Sequence, residues 1–236
     1  MTLINTRTFV VLVMTACVAS VVMSLVGQDV AAAVAKLAAS SSFVALAISA
    51  GSLRSTYGRI ILLGLSFSWI GDALLIGKTQ TMFLLGLGAF LLAHVAYIAA
   101  FAGRGTNIRW AGAAALAIVP IAFGVSLWLT PHIPNELIIP VRTYTTVISL
   151  MVIAAFATHG RSASTLIVAG ALLFFLSDLS VAALRLVQTD FPNYVWGLPS
   201  YYAGQLCLAV STSQSRSHGG TPENRSARKS INARTR

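Results

Sequence analysis

Long apolar runs separated by short polar joints repeat along the whole chain. Eight runs stand out, over about residues 8–27, 37–53, 58–77, 81–102, 109–130, 137–158, 163–188 and 197–213. A membrane-spanning helix needs roughly 20 predominantly apolar residues, within a range of about 17–25. The joints carry the residues that end helices and make turns, as in Gly51-Ser52-Leu53-Arg54-Ser55, Gly103-Arg104-Gly105-Thr106-Asn107 and Pro131-His132-Ile133-Pro134-Asn135. None is long enough to hold a soluble domain. The pattern predicts an all-α, polytopic membrane bundle of eight transmembrane helices over residues 1–213, placed in the cell membrane. The second and eighth runs are the shortest, and they contain Ser40-Ser41-Ser42 and Pro199. The first run follows Arg7 and extends to Val26, longer than the core of a cleaved leader, so it is expected to be retained as a span.

Composition agrees with the pattern. The 236 residues are 56% hydrophobic and 9% charged, with a mean hydropathy of +0.80. Soluble domains carry about 25% charged residues, so a soluble enzyme, a nucleic-acid-binding domain and a disulfide scaffold are all excluded. The two cysteines, Cys17 and Cys207, lie inside apolar runs, and neither a disulfide framework nor a metal site follows from them.

The net charge of +10 is unevenly placed. Residues 214–236 hold six basic residues and one acid, Glu223, in a stretch with almost no apolar residues. That segment reads as a basic disordered tail lying against the anionic inner leaflet, with no nucleic-acid partner. With the tail inside, eight spans put the N-terminus inside too. Arg7, Arg54, Arg59, Arg104, Arg109, Arg161 and the six tail residues then face the cytoplasm, twelve in all, against Lys36 and Lys78 outside. Such an imbalance is the positive-inside bias expected of a correctly oriented chain.

Two acids fall inside the spans: Asp72 in the third and Asp178 in the seventh. A charged group at mid-bilayer costs about 2.5–3.5 kcal/mol on insertion scales, so it needs a partner or a function. Both spans run outward, and at 1.5 Å per residue both carboxylates come to one level, about 20 Å from the inner end. Lys36, Arg142, Tyr201, Tyr202 and Gln205 reach that level from neighbouring helices. His94 lies just beneath, and Arg185 follows Asp178 by seven residues on the same face. Together they outline a polar cavity opening to the outer leaflet. Ion pairing of the two acids with Arg142 and Arg185 would instead be a purely structural use. Gly64, Gly86, Gly88 and Ala89 read as close helix-packing positions. Trp69-Ile70-Gly71-Asp72 also echoes Phe175-Leu176-Ser177-Asp178, as halves of parallel orientation would.

At these residues the chain resembles the lysoplasmalogenase-like YhhN family of membrane proteins. The similar segments are Lys36 opening the second helix, LSFSWIGDALL around Asp72, FLLGLGAFLLAHVAYIAAF around His94, LLFFLSDLSVA around Asp178 and PSYYAGQLCLA around Gln205. Their order and spacing cover about residues 30–210. Members often carry Pro after the lysine, where this chain has Leu37. The resemblance implies a hydrolase that cleaves the vinyl ether bond of lysoplasmalogens to a fatty aldehyde and glycerophosphocholine or glycerophosphoethanolamine. Its substrate would be a lysophospholipid, and no metal or organic cofactor would be required. Asp72 and Asp178 would form the acid and base pair, without an assignment of which is which. His94, Tyr202 and Gln205 would position water and the glycerol hydroxyl, and Lys36 and Arg142 would hold the phosphate. The competing expectation is a lipid-binding or transport protein whose polar intramembrane cavity performs no hydrolysis.

Overall fold

The structure, a computed structural model, describes residues 6–159, 165–187 and 196–213. Among these residues the fold is all-helical. The helices are α1 (Thr6–Leu25), α2 (Asp29–Ala50), α3 (Thr56–Leu74), α4 (Gln80–Ala102), α5 (Ile108–Leu129), α6 (Ile138–Ala157), α7 (Thr165–Ala182) and α8 (Gly197–Ser211). Beyond Ala182, α7 continues into a π-helical turn, Ala183–Val187. The basic tail and Arg161 lie outside the described residues.

Each apolar run of the sequence corresponds to a helix, but the second begins at Asp29, ahead of Lys36, rather than after it. Its first turns, Asp29-Val30-Ala31-Ala32-Ala33, are built from strong helix formers, with an acid in the first turn where the helix dipole favours negative charge. Lys36 therefore does not open α2; it sits two turns inside it. At the other end, Gly51 closes α2 in the left-handed conformation, φ +94°, and its N–H bonds back to the carbonyls of Ala47 and Ile48.

Six helices are long and apolar enough to cross a membrane: α1, α2, α4, α5, α6 and α7. Their outward faces carry bare apolar side chains, such as Leu116 at 82% and Val30 at 80% exposure, which are stable only against lipid. The protein is thus a multi-pass membrane protein. Two helices fall outside that set. α8 has only fifteen residues, nine of them buried, and α3 buries the polar Ser68 and Asp72 within the bundle while its Leu63, Trp69 and Ile70 face outward.

Small residues set the close contacts. A Cβ at Gly204 would lie 3.0 Å from the carbonyl oxygen of Gly170 and 3.2 Å from the amide nitrogen of Phe174, so α7 and α8 meet backbone to backbone. A Cβ at Gly64 would strike the ring of Tyr97, joining α3 to α4, and one at Gly86 would strike Leu75. Gly88 departs from the packing role expected of it: it faces open space, on the side of α4 turned away from its neighbours. Gly204→Ala is accordingly expected to lower the unfolding temperature in detergent by several degrees. Gly88→Ala should leave it unchanged or raise it, because Ala is better than Gly in a helix by about 1 kcal/mol. Equal stability of the two variants would show that α7 and α8 are not in backbone contact.

Candidate functional site

All eight helices line one cavity of about 340 Å³. Its wall is largely apolar, with Phe83, Leu87, Phe90, Leu129 and Ile148 among its side chains, and both Asp72 and Asp178 face it. The ends of the helices that line it are those following α1, α3, α5 and α7 and preceding α2, α4, α6 and α8. The carboxylates therefore share one end of the bundle, as the level calculation requires.

Asp72 is held on both oxygens. The ammonium of Lys36 lies 3.3 Å from Oδ1, while Oδ2 accepts hydrogen bonds from the hydroxyls of Ser40 and, at 2.6 Å, Tyr201. Lys36 and Ser40 are four residues apart on α2 and so present to the same side. The carboxylate side chain is only 3% exposed. A charge in such a place requires a paired cation and filled hydrogen-bond positions, and Asp72 has both.

Asp178 is built in parallel but left half open. Its Oδ2 accepts from the hydroxyl of Tyr144 at 2.6 Å and lies 3.2 Å from Nε2 of His94. His94 Nε2 is also 3.0 Å from the Tyr144 hydroxyl. The Nδ1 atom of His94 is buried and has no hydrogen-bond partner among the described residues. A proton there would be an unsatisfied buried donor, costing about 1–3 kcal/mol, so the tautomer assigned here carries its hydrogen on Nε2, directed at Asp178 and Tyr144. Among the described residues nothing bonds Asp178 Oδ1, and its side chain is 18% exposed, toward the cavity.

An aromatic wall joins the two carboxylates. Phe174 lies edge-on to His94 at 4.6 Å and to Tyr201 at 5.4 Å, and Phe90 meets both Phe174 and Tyr201 edge-on. Beneath it, the Tyr97 hydroxyl donates to Gln205 Oε1 at 2.9 Å and lies 3.4 Å from the hydroxyl of Ser68. These edge-to-face pairs, worth about 0.5–1.5 kcal/mol each beyond their area, fix the tyrosine and histidine that hold the carboxylates.

The residues singled out in the sequence divide into three groups. Asp72, Asp178 and Lys36 line the cavity, with the Lys36 ammonium engaged by Asp72, and His94 stands buried behind Asp178, in contact with it. Tyr202 and Gln205 are fully buried behind the wall: the Tyr202 hydroxyl donates to the backbone oxygen of Lys36 at 3.2 Å, and Gln205 accepts from Tyr97. Arg142 is exposed and does not line the cavity. Neither Arg142 nor Arg185 pairs with either intramembrane acid; Lys36 and His94 take those places.

Tyr144, Ser40 and Tyr97 did not stand out in the sequence. Tyr144 follows Arg142 by two residues, about 200° around a 3.6-residue helix, so with Arg142 turned outward Tyr144 turns inward. An inward tyrosine in Arg142-Thr143-Tyr144 gives no charge signal. For Ser40 the signal was present, four residues beyond Lys36.

Comparison with known proteins places this arrangement in context. The sequence model of the YhhN family matches residues 31–212. Cattle (Bos taurus) lysoplasmalogenase TMEM86A is 32% identical over 66% of this chain and 66% of its own length. Pig (Sus scrofa) lysoplasmalogenase TMEM86B is 30% identical over 63% of this chain and 61% of its own. A lysoplasmalogenase of Mycobacterium bovis is 30% identical over 60% of this chain and 59% of its own. The chain thus aligns with under two thirds of the length of each. No solved structure matches.

The Asp72 geometry makes a prediction independent of function. Lys36→Met should destabilise the protein by about 3 kcal/mol, the low end for stripping one partner from a buried pair, since Lys36 keeps some exposure. Adding Asp72→Asn removes the stranded charge and should restore most of that loss. Denaturation in detergent measures both; a Lys36→Met protein as stable as the wild type would show that the pair carries no weight.

Proposed function

The chain belongs to the YhhN family, and from that premise we propose that it hydrolyses the vinyl ether bond of lysoplasmalogens, releasing a fatty aldehyde and a glycerophospho-base. The observation that carries this reading is the open oxygen of Asp178: a carboxyl aimed into an apolar cavity, with its other oxygen held by Tyr144 and His94. The names of the cattle, pig and mycobacterial relatives support the same substrate class.

The reaction adds water across R–CH=CH–O–R′ to give R–CH₂–CHO and HO–R′. Asp178, protonated at Oδ1, gives its proton to the β-carbon of the vinyl ether. The negative charge this leaves on Asp178 is met by the two donors already at Oδ2, the Tyr144 hydroxyl and His94 Nε2–H. An oxocarbenium ion forms next to the ether oxygen. Asp72, kept ionised by Lys36, Ser40 and Tyr201, supplies the fixed negative charge that favours this cation, and costs no reorganisation at that moment. Water adds to the cation as Asp178 takes back a proton, and the resulting hemiacetal breaks down to aldehyde and free glycerol hydroxyl. One carboxyl serves as acid and then base while the other stays an anion, two roles set by two environments. Tyr202 and Gln205 act from behind, by holding Lys36 and Tyr97.

In the membrane we place all eight helices as spans, both termini cytoplasmic, the cavity at the outer leaflet and the tail against the inner one. The twelve-to-two distribution of basic residues supports this orientation.

Purified protein in detergent is expected to release aldehyde from a choline or ethanolamine lysoplasmalogen. Asp178→Asn should reduce kcat by about 10³-fold or more, in the range of a lost general acid, and Asp72→Asn by about 10²-fold or more, in the range of a lost electrostatic stabiliser. Folded wild-type protein that binds the lipid and releases no aldehyde would favour the transport reading; near-normal turnover in both variants would remove the carboxylates from the chemistry.

A further inference from the structure

The charged residues lining the cavity can be paired off. Lys36 faces Asp72 at 3.3 Å, Lys78 faces Asp29 at 2.6 Å, and Asp178 faces His94. Arg185 remains. It lines the same cavity, and among the described residues no carboxylate lies within ion-pairing distance of it. Its guanidinium lies 5.7 Å from the centroid of the Phe83 ring, also in the cavity wall, a contact that steadies a cation without neutralising it. A cation lining the cavity that no carboxylate among the described residues balances points to a ligand of opposite sign.

Its position along α7 is suited to one part of a lysophospholipid. Arg185 follows Asp178 by seven residues, about 10 Å of helix. It sits in the π-helical turn Ala183–Val187, a wider turn that re-aims side chains and recurs at functional sites. In a glycerophospholipid cleaved at carbon 1, the phosphorus lies five bonds from the ether oxygen, about 6 Å at ordinary bond lengths. With the vinyl ether at Asp178, the phosphodiester comes within reach of Arg185.

We propose that Arg185 binds the phosphodiester of the headgroup and thereby sets which bond of the lipid meets Asp178. This rests on the hydrolase reading above. It moves the phosphate from Lys36, which Asp72 occupies, and from Arg142, which lies outside the cavity, to a cation that neither constraint touches. A planar guanidinium also matches two phosphate oxygens at once.

The test compares two substrates that share the vinyl ether, a choline lysoplasmalogen and the corresponding 1-alkenylglycerol without phosphate. For the lysoplasmalogen, Arg185→Gln is expected to raise KM at least tenfold while kcat changes less than threefold, and Arg185→Lys should recover part of the loss. For the alkenylglycerol, wild type and Arg185→Gln should be alike. An unchanged KM for the lysoplasmalogen, an equal loss on both substrates, or a larger rise with Arg142→Gln would each overturn the assignment. If the wild type cleaves neither substrate, the hydrolase reading fails alone. Binding of a fluorescent lysophosphatidylcholine then decides: at least tenfold weaker binding to Arg185→Gln upholds the phosphate site, and equal binding removes it.

Discussion

A carboxylate taken from water into an apolar bundle loses several kcal/mol of solvation that the protein must return through cations and hydrogen bonds. This chain does so twice, at Asp72 and Asp178, and much of its helix arrangement follows from that need. Asp72 draws Lys36 and Ser40 from α2 and Tyr201 from α8 onto α3. Asp178 draws His94 from α4 and Tyr144 from α6 onto α7. α8 lies where other helices cover it, and α3 turns Ser68 and Asp72 inward while Leu63, Trp69 and Ile70 face out.

The two sites share a plan: a carboxylate, one tyrosine hydroxyl at 2.6 Å and one basic nitrogen at 3.2–3.3 Å. They differ where it matters for chemistry. A lysine and an additional serine hydroxyl complete the first site, leaving neither oxygen free. A histidine replaces the lysine in the second, there is no counterpart of Ser40, and one oxygen faces the cavity. The two aspartates sit on α3 and α7, in line with the sequence echo around them, but their partners exchange kinds: α2 gives the lysine where α6 gives a tyrosine, and α8 gives a tyrosine where α4 gives the histidine. One carboxylate is thus closed by its partners and the other keeps an oxygen toward the cavity, the difference on which the proposed division of roles rests.

The apolar runs made the eight helices legible, six of them long and apolar enough to cross a membrane. The start of α2 was not, since the charge of Lys36 reads as a helix end although Val30 to Ala35 before it are all apolar. The acids and His94 were legible because charge in a span is rare. Helix rotation was the missing quantity. Arg142 and Tyr144 lie on one helix at the right depth, and only neighbouring helices determine which of them faces in. Depth likewise brought Tyr202 and Gln205 to the right level, while the aromatic wall that separates them from the cavity depends on how Phe90, Phe174 and Tyr201 meet. Gly88 shows the same limit: a small residue in α4 predicts a close approach only if that face has a neighbour.

The central claim is that this cavity protonates carbon so that water adds at the former ether carbon, and the fate of one oxygen tests it most directly. Lysoplasmalogen would be hydrolysed by the wild-type protein in H₂¹⁸O and the glycerophospho-base collected. The account predicts that its freed hydroxyl keeps the ordinary oxygen of the ether. Heavy oxygen in that hydroxyl would contradict it, because the bond from the glycerol carbon to oxygen would then have been cleaved without an oxocarbenium ion.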